Sequence, residues 1–153
     1  VYRCLITINN SNFEKNIRNV YPAELELKKE NRNDNSANFL DLNIEINNSK
    51  FITKLYDKRD NFDFNIIRMP HKSSNIPKKM FYSAMSDEIL IICNVTTSYQ
   101  DIINSSKILI TRIKKQGGVI NHMKNTISNL LNSHKECFFK FNKSNGFIVN
   151  KLL

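Results

Sequence analysis

The chain has 153 residues, 41% hydrophobic and 24% charged, which is enough for one domain with a core or for two small subdomains. With only three glycines and three prolines, disorder along the whole length is not expected, and no apolar run reaches the roughly 20 residues that a membrane helix needs. The formal net charge of +9 favours a polyanionic partner, most simply nucleic acid.

Residues 1–38 alternate between strand and helix signals. Residues 2–8 are an apolar strand candidate, too short and too poorly flanked for a signal peptide. Ser11 and Glu14 form a capping box at the start of a helix that Pro22 ends. Alternation at residues 24–29 predicts a second strand, exposed on one side, and residues 30–38 are expected to form a polar loop.

Residues 39–77 carry the clearest pattern in the chain. Apolar residues alternate with polar ones and would occupy one strand face: Leu40, Leu42, Ile44 and Ile46. The turn-forming Asn47-Asn48-Ser49 follows, and residues 51–56 alternate again, which predicts a β-hairpin with one buried face. After the hairpin come a charged loop and a segment rich in Arg, Lys and His that ends at Pro77.

From Met80 onward the apolar period becomes that of a helix, and three amphipathic helices are expected. The first ends near Thr96, the second ends at Gly117-Gly118, and the third carries an apolar stripe from Ile120 to His134. Residues 137–153 place four phenylalanines among lysines, which leaves open whether they form a packed tail or a frayed end. The expected fold class is α+β, a small antiparallel sheet with one helix followed by a three-helix bundle.

The positive charge is concentrated in two zones that are separate in the sequence. Residues 50–80 hold eight basic and three acidic side chains, and residues 112–153 hold eight and one. Such side chains would neutralise phosphates, while Tyr56, Phe62 and Phe64 between them would stack on bases or sugars. For the charge, the alternative is a lysine-rich surface that only keeps the protein soluble. For each of the three rings taken singly, the favoured interpretation is burial against the first helix.

The sequence contains no set of residues with the spacing expected of a catalytic centre. The three histidines have no Cys or carboxylate at ligand spacing, and the three cysteines are too far apart for a disulfide framework or a metal site. Asp57, Asp60 and Asp63 are spaced by three, but Lys58 and Arg59 among them favour charge compensation over a metal site. No cofactor is expected in this chain, and the idle thiols favour a reducing, intracellular compartment, cytoplasmic or nuclear.

Five short segments carry a resemblance to a known family: YPAELELKK at 21–29, FLDL at 39–42, KLYDKRD at 54–60, SNIP at 74–77 and IKKQG at 113–117. In this order they resemble the C-terminal part of a mobile-element reverse transcriptase, most like Penelope-like and related retroelement polymerases. The similarity runs from about residue 5 to about residue 140.

In that family, a Tyr-x-Asp-Asp turn holds two magnesium ions for nucleotidyl transfer. This chain has Tyr2-Arg3-Cys4-Leu5 at the corresponding place, so Tyr2 would be a remnant and neither aspartate is present. The resemblance implies magnesium for an intact family member, but no metal site, no catalytic residue and no polymerase activity for this chain alone.

The resemblance also implies a layout. Residues 1–56 would be a partial palm with a primer-grip-like hairpin, residues 57–78 a basic connector, and residues 79–153 a helical, thumb-like module. The partner would be an RNA–DNA hybrid or a primed template, with no membrane involved. The alternatives are a stand-alone basic nucleic-acid-binding module without enzymatic activity and a relic translated from a decayed element.

Reading the basic zones and the layout together predicts the residues that contact nucleic acid. They are Lys54, Tyr56, Lys58, Arg59, Arg68, His71, Lys72, Lys78, Lys79, Arg112, Lys114 and Lys115. Because a polymerase holds its duplex regardless of sequence, contacts to phosphates are expected to dominate over contacts to bases.

Overall fold

A computed structural model of the chain describes residues 35–64, 66–135 and 144–153, together with residues 16, 19, 22, 24 and 33. The strand predicted at residues 2–8, most of the helix after Ser11, the strand at 24–29 and the remnant Tyr2 lie outside the described residues. The described part is α+β, with a three-stranded antiparallel sheet followed by four helices.

The sheet has its strands in the order β1-β2-β3, with β1 at Ser36–Phe39, β2 at Leu42–Asn47 and β3 at Lys50–Leu55. The predicted hairpin is confirmed as β2 and β3, in a register that places Asn47 opposite Lys50. Its two turn residues, Asn48 and Ser49, have φ of 47° and 61°. Two positive values in succession are typical of a type I′ turn, whose twist matches that of the flanking strands.

Leu40 corrects the prediction for the first hairpin strand. It was expected on the buried face, but its side chain is 61% exposed and its φ is 54°. Leu40 and Asp41 form a second tight turn. Residues 36–38, predicted as the end of a polar loop, form β1 together with Phe39, which lies opposite Leu42. The apolar alternation continues across this turn, so periodicity alone cannot reveal a reversal at a leucine with positive φ.

The three predicted helices are confirmed as α1 at Lys78–Val95, α2 at Tyr99–Lys115 and α3 at Ile120–Ser133. A fourth helix, α4 at Asn145–Leu152, extends the predicted three-helix bundle. Ser144 caps α4, because its hydroxyl accepts a hydrogen bond from the Phe147 N–H. The last ten residues are therefore a packed helix and its cap.

The core lies between the four helices. The bulkiest of its fully buried side chains are aliphatic or methionine, with every helix contributing: Met85, Ile89, Ile92, Ile103, Ile110, Ile113, Met123, Ile127, Leu131 and Ile148. Leu55 at the end of β3 and Met69 and Ile76 in the connector are partly buried and pack against this core. The sheet and the connector are thus attached to the helical module through apolar contacts.

The edge of β3 is covered by the connection between α1 and α2. The Thr97 N–H donates to the Thr53 carbonyl at 2.9 Å, and the Thr53 N–H donates to the Thr97 hydroxyl at 3.0 Å. The Thr53 hydroxyl donates to the Val95 carbonyl at 2.6 Å. These bonds satisfy edge groups that would otherwise be open to another strand.

Candidate nucleic-acid interface

Asp57 ties the turn after β3 to the last turns of α2. Its carboxylate accepts the Arg59 backbone N–H at 3.1 Å and so caps a 3₁₀ turn at Lys58–Asn61. The Arg59 guanidinium donates to both Asp57 oxygens, at 2.7 and 2.6 Å. The Arg112 guanidinium donates to Asp57 Oδ2 at 2.6 Å. One carboxylate thus holds an arginine from each of the two basic zones.

The charge state of Asp57 follows from the same contacts. Its side chain is 17% exposed, and burial alone would raise its pKa. The hydrogen bonds from the Arg59 and Arg112 side chains, together with the backbone bond and charge of Arg59, outweigh burial and hold the pKa of Asp57 well below its usual range. For Asp57, charge compensation is therefore the arrangement observed.

A depression of about 120 Å³ lies beside this cluster and draws on both basic zones. Its walls carry four cationic side chains and one anionic one, Arg59, Arg68, Arg112, Lys115 and Glu88. Ile66, Ile67, Met69, Leu109 and Gln116 complete the lining. Arg68 forms an ion pair with Glu88 at 2.9 Å, so the cations of the depression are partly compensated.

The end of the helical module next to the depression gathers further basic residues. A three-residue connection makes α1 and α2 antiparallel, so the start of α1 and the end of α2 lie at the same end. The start of α3 joins them, because the Tyr82 hydroxyl accepts the Val119 N–H at 3.1 Å. The connector packs here as well, with the Lys72 N–H donating to the Gln116 carbonyl at 2.9 Å.

Gly117 allows the close approach of the connector to the end of α2. Its φ is 86°, and a Cβ at this position would lie 3.1 Å from His71 Nε2. A side chain would therefore meet both backbone strain and the histidine ring. We call this end of the module, with His71, Lys72, Lys78, Lys79 and Lys115, the basic end.

Lys78 and Lys79 occupy an unfavourable place for helix stability. Both are exposed in the first turn of α1, which has no acidic residue and no side-chain cap. Cations at a helix N-terminus oppose the macrodipole and cost a few tenths to one kcal/mol. Helix stability therefore does not explain the two lysines, whereas attraction to an external anion would.

Several other predicted site residues are engaged elsewhere in the fold. Lys54 pairs with Glu45 across the sheet at 2.9 Å, and Lys114 Nζ donates to the Leu153 carbonyl at 3.3 Å. The Tyr56 hydroxyl accepts a hydrogen bond from the Asn61 side-chain amide. Lys58 is exposed beside Arg59 on the 3₁₀ turn. The predicted set thus divides into residues at the basic end and depression and residues outside them.

For Phe62 and Phe64, the favoured prediction was burial of each ring, and the structure differs from it. Their side chains are 46% and 65% exposed, and their ring centroids are 5.3 Å apart with planes inclined by 47°. They follow the 3₁₀ turn on an irregular surface segment, and the described core is filled by residues of the helices. The two rings therefore contact one another and solvent.

Sequence reasoning missed the apolar and acidic partners of the site. Glu88, which pairs with Arg68 from the middle of α1, is 20 positions away along the chain, and no local pattern links the two. Ile66 and Ile67 lie outside both alternating runs, so no period marked them. Gly117 had a readable signal, as the expected end of α2, and so did Asp57, for which the neighbouring Lys58 and Arg59 favoured charge compensation.

Comparisons of the chain with protein-family models, curated proteins and solved structures found no match in any of the three. No described helix combines the length and apolar character needed to cross a bilayer. Within the described ranges, no three His, Cys, Asp or Glu side chains gather in a way that could hold a metal ion. The chemistry of the basic end and of the depression is therefore the basis for assigning a function.

Proposed function

We propose that the chain binds the phosphate backbone of a nucleic-acid duplex, as the palm-end and thumb portion of a reverse-transcriptase-like polymerase would. The observation that carries this proposal is the meeting of two basic zones that are distant in the sequence. Arg59 and Arg68 from the connector and Arg112 and Lys115 from α2 line one depression. Lys115 also belongs to the basic end, so the two sets of cations are continuous.

The distribution of charge indicates which residues would supply affinity. Asp57 neutralises part of the charge of Arg59 and Arg112, and Glu88 compensates Arg68. The four cations of the depression are thus compensated in part, and a net positive charge remains there. Lys72, Lys78 and Lys79 at the basic end have exposed or half-exposed side chains, and neutralising phosphates there would release counterions from the duplex.

The start of α1 adds a second kind of donor. Pro77 provides no side-chain cap for this helix, and its carbonyl accepts the Met80 N–H at 2.9 Å, which leaves the Lys78 and Lys79 N–H groups for an external acceptor. A phosphate oxygen suits such groups, because the helix dipole favours negative charge at this end. Lys78 and Lys79 reinforce the same preference, which supports a phosphate contact at the start of α1.

Titration of a fluorescent RNA–DNA hybrid at salt concentrations between 50 and 200 mM tests the proposal. The logarithm of the binding constant should fall linearly with the logarithm of salt, with a slope of about −0.9 per phosphate neutralised for a B-form duplex. Replacing Lys78 and Lys79 together by Gln should lower affinity and reduce this slope by about two.

The matched control is Lys135→Gln. Lys135 is an exposed lysine just after α3, at the opposite end of the module from the basic end, so its loss should change neither affinity nor slope. A salt-independent affinity, or an equal loss in the control and in the double variant, would contradict the proposal.

The absence of the Tyr-x-Asp-Asp aspartates leads to a further expectation. The chain alone should not extend a primed template, and magnesium-dependent incorporation of nucleotides by the purified chain would contradict this. A stand-alone binding module would contact phosphates in the same way. A polymerase portion should prefer a recessed 3′ end to a recessed 5′ end with an overhang of equal length, whereas a stand-alone module should show no preference.

A further inference from the structure

The depression beside Asp57 keeps a net positive charge after the ion pairs among the described residues are counted. Its wall carries four cationic side chains, and two carboxylates compensate them, Glu88 in the wall and Asp57 next to it. Asp63, an exposed carboxylate of the same connector, does not line the depression. Two positive charges therefore remain for the cluster as a whole.

Two of the four cations have donors that a ligand could use. Lys115 is exposed at the end of α2, and among the described residues its ammonium group has no ion-pair or hydrogen-bond partner. Arg68 contacts Glu88 through Nη1, and a guanidinium carries five N–H groups, so the other groups of Arg68 can donate elsewhere. An anion in the depression would thus find its donors at Lys115 and Arg68.

The rest of the wall is mostly apolar. Ile66 and Ile67 are 37% and 63% exposed, and Met69 and Leu109 belong to the side next to the helical core. A ligand that covers these side chains gains free energy beyond what its charge contributes, because apolar surface is removed from water. A volume of about 120 Å³ is too small for a drug-sized molecule and suits one charged group with the adjoining part of its substituent.

We propose that the depression binds a phosphate monoester whose organic substituent is apolar next to the phosphate. Such a monoester carries a charge of about −1.5 to −2 at pH 7, which matches the two remaining positive charges better than the single negative charge of a carboxylate, a sulfate ester or a phosphodiester. The planar guanidinium of Arg68 suits phosphate oxygens, and Lys115 supplies a point charge. The monoester can come from two sources, a free small molecule or the 5′ end of a nucleic-acid strand. The inference concerns the depression that the proposed function also uses, but it requires no duplex.

Isothermal titration calorimetry at pH 7 with phenyl phosphate, phenyl sulfate and inorganic phosphate tests the site. Phenyl sulfate keeps the ring but carries less negative charge, and inorganic phosphate keeps the charge without the ring. Each should therefore bind roughly tenfold or more weakly than phenyl phosphate. If either of them binds as tightly as phenyl phosphate, or if phenyl phosphate does not bind, the proposal is overturned.

Lys115→Gln should weaken the binding of phenyl phosphate by roughly tenfold, because a charge-assisted hydrogen bond is lost. Lys107→Gln is the matched control: Lys107 is an exposed lysine of the same helix that does not line the depression, so its loss should leave the affinity unchanged. Because both side chains are exposed, neither variant should change the urea midpoint by much. Arg68→Lys keeps the charge beside Glu88 without the planar fork and should also weaken binding. Equal affinities of the Lys107→Gln and Lys115→Gln variants would overturn the assignment.

A hexanucleotide with a 5′-phosphate and the same strand with a 5′-hydroxyl identify the source of the monoester. A preference for the phosphorylated strand that Lys115→Gln removes would support the site and assign it to strand ends. Binding of phenyl phosphate without such a preference would support the site and assign it to a free monoester. Salt-dependent binding of a blunt hybrid with 5′-hydroxyl ends, without binding of phenyl phosphate, would overturn the site and leave the proposed function standing. Binding of phenyl phosphate without binding of the hybrid would support the site and contradict the duplex proposal.

Discussion

Asp57 shows how much of the site depends on one side chain. It caps the 3₁₀ turn, orients Arg59 and accepts a hydrogen bond from Arg112 on α2. Because the carboxylate is largely buried, its stability as an anion depends on both arginines. The loop after β3 and the end of α2 are thus positioned by a charge-assisted network and not by backbone alone.

Replacing Asp57 by Asn should destabilise the chain by about 1–3 kcal/mol, because two guanidinium groups lose their charged acceptor. Urea denaturation at pH 7 measures the change. Asp63→Asn is the matched control: Asp63 is exposed in the same loop, and its loss should change the free energy of unfolding by no more than about 0.5 kcal/mol. Equal effects of the two substitutions would contradict the role given to Asp57.

The same residue predicts a dependence on pH. Folding lowers the pKa of Asp57, so the unfolded chain binds the proton more readily than the folded one. The stabilisation by this carboxylate is therefore complete above its ordinary pKa, near pH 4, and is lost as the pH falls below that value. The difference in urea midpoint between the native chain and Asp57→Asn should be constant above about pH 5 and should shrink steadily as the pH falls below about 4. A difference that stays constant below pH 4 would count against the network.

Gly118 and Gly146 offer a second test at the residue scale. A Cβ on Gly118 would lie 2.7 Å from Ile113 Cγ2 and 2.9 Å from the Ile113 carbonyl oxygen, so Gly118→Ala should cost about 1–3 kcal/mol. A Cβ on Gly146 would meet nothing within 4 Å, and in helix α4 the alanine should stabilise by roughly 0.5–1 kcal/mol. Thermal melts of the two variants should shift in opposite directions.

At the scale of elements, β3 is the link between the sheet and the helical module. Its outer edge pairs with the Thr96–Ser98 connection through Thr53 and Thr97, while Leu55 packs against the helical core. The sequence pattern showed that connection only as a helix break. Its second role, covering a strand edge, depends on a residue 44 positions away and could not be read locally.

Thr53→Val tests this attachment with little change in side-chain shape. The variant loses the hydrogen bond to the Val95 carbonyl and should be destabilised by about 1 kcal/mol. Hydrogen exchange should also become faster at the Thr53 and Thr97 amides. Thr111→Val is the control, because the Thr111 hydroxyl bonds to the Lys107 carbonyl on an exposed helix face and should contribute less than about 0.5 kcal/mol.

Helix prediction was most successful for the longest elements. In α1, α2 and α3 the apolar stripe recurs over roughly three turns, so side chains such as Met85, Ile110 and Ile127 could be assigned to the core from spacing alone. The short β1 strand had no such repeat. Leu40 preserved the alternation while the backbone reversed, which is why the third strand was missed.

At the scale of the whole molecule, α4 closes the core. Ile148, Val149 and Leu152 are buried against α2 and α3, although they come after residues 136–143, of which the structure gives no description. The phenylalanines and lysines of this tail suggested either packing or fraying. The described helix shows that the last segment contributes to the core of the bundle.

Ile148→Ala should therefore destabilise the chain by about 2–5 kcal/mol, through lost burial and a cavity in the core. Ile108→Ala is a control of the same residue type, because Ile108 is 51% exposed on α2 whereas Ile148 is 2% exposed. The control should change the free energy of unfolding by no more than about 0.5 kcal/mol. Circular dichroism during urea titration measures both, and similar losses would mean that α4 does not belong to the core.

The candidate site is also a property of the whole molecule. Charge counting located two basic zones, and composition identified aromatic residues between them, both directly from the sequence. Whether a given basic side chain is paired with a carboxylate could not be read from the sequence, as the pairing of Lys54 with Glu45 and of Arg68 with Glu88 shows. The arginines of the depression are partly compensated by Asp57 and Glu88, while Lys72, Lys78 and Lys79 at the basic end are exposed or half-exposed.

The amino-acid sequence by itself determined the α+β class, the β2–β3 hairpin, the three long helices and the excess of positive charge, because each depends on neighbours within a few turns or on composition. Only the tertiary structure decided that residues 57 and 112, which are 55 positions apart, share one ion cluster. It also decided that the aromatic pair is exposed to solvent. Such contacts depend on how the complete bundle packs, and no local period in the chain encodes that packing.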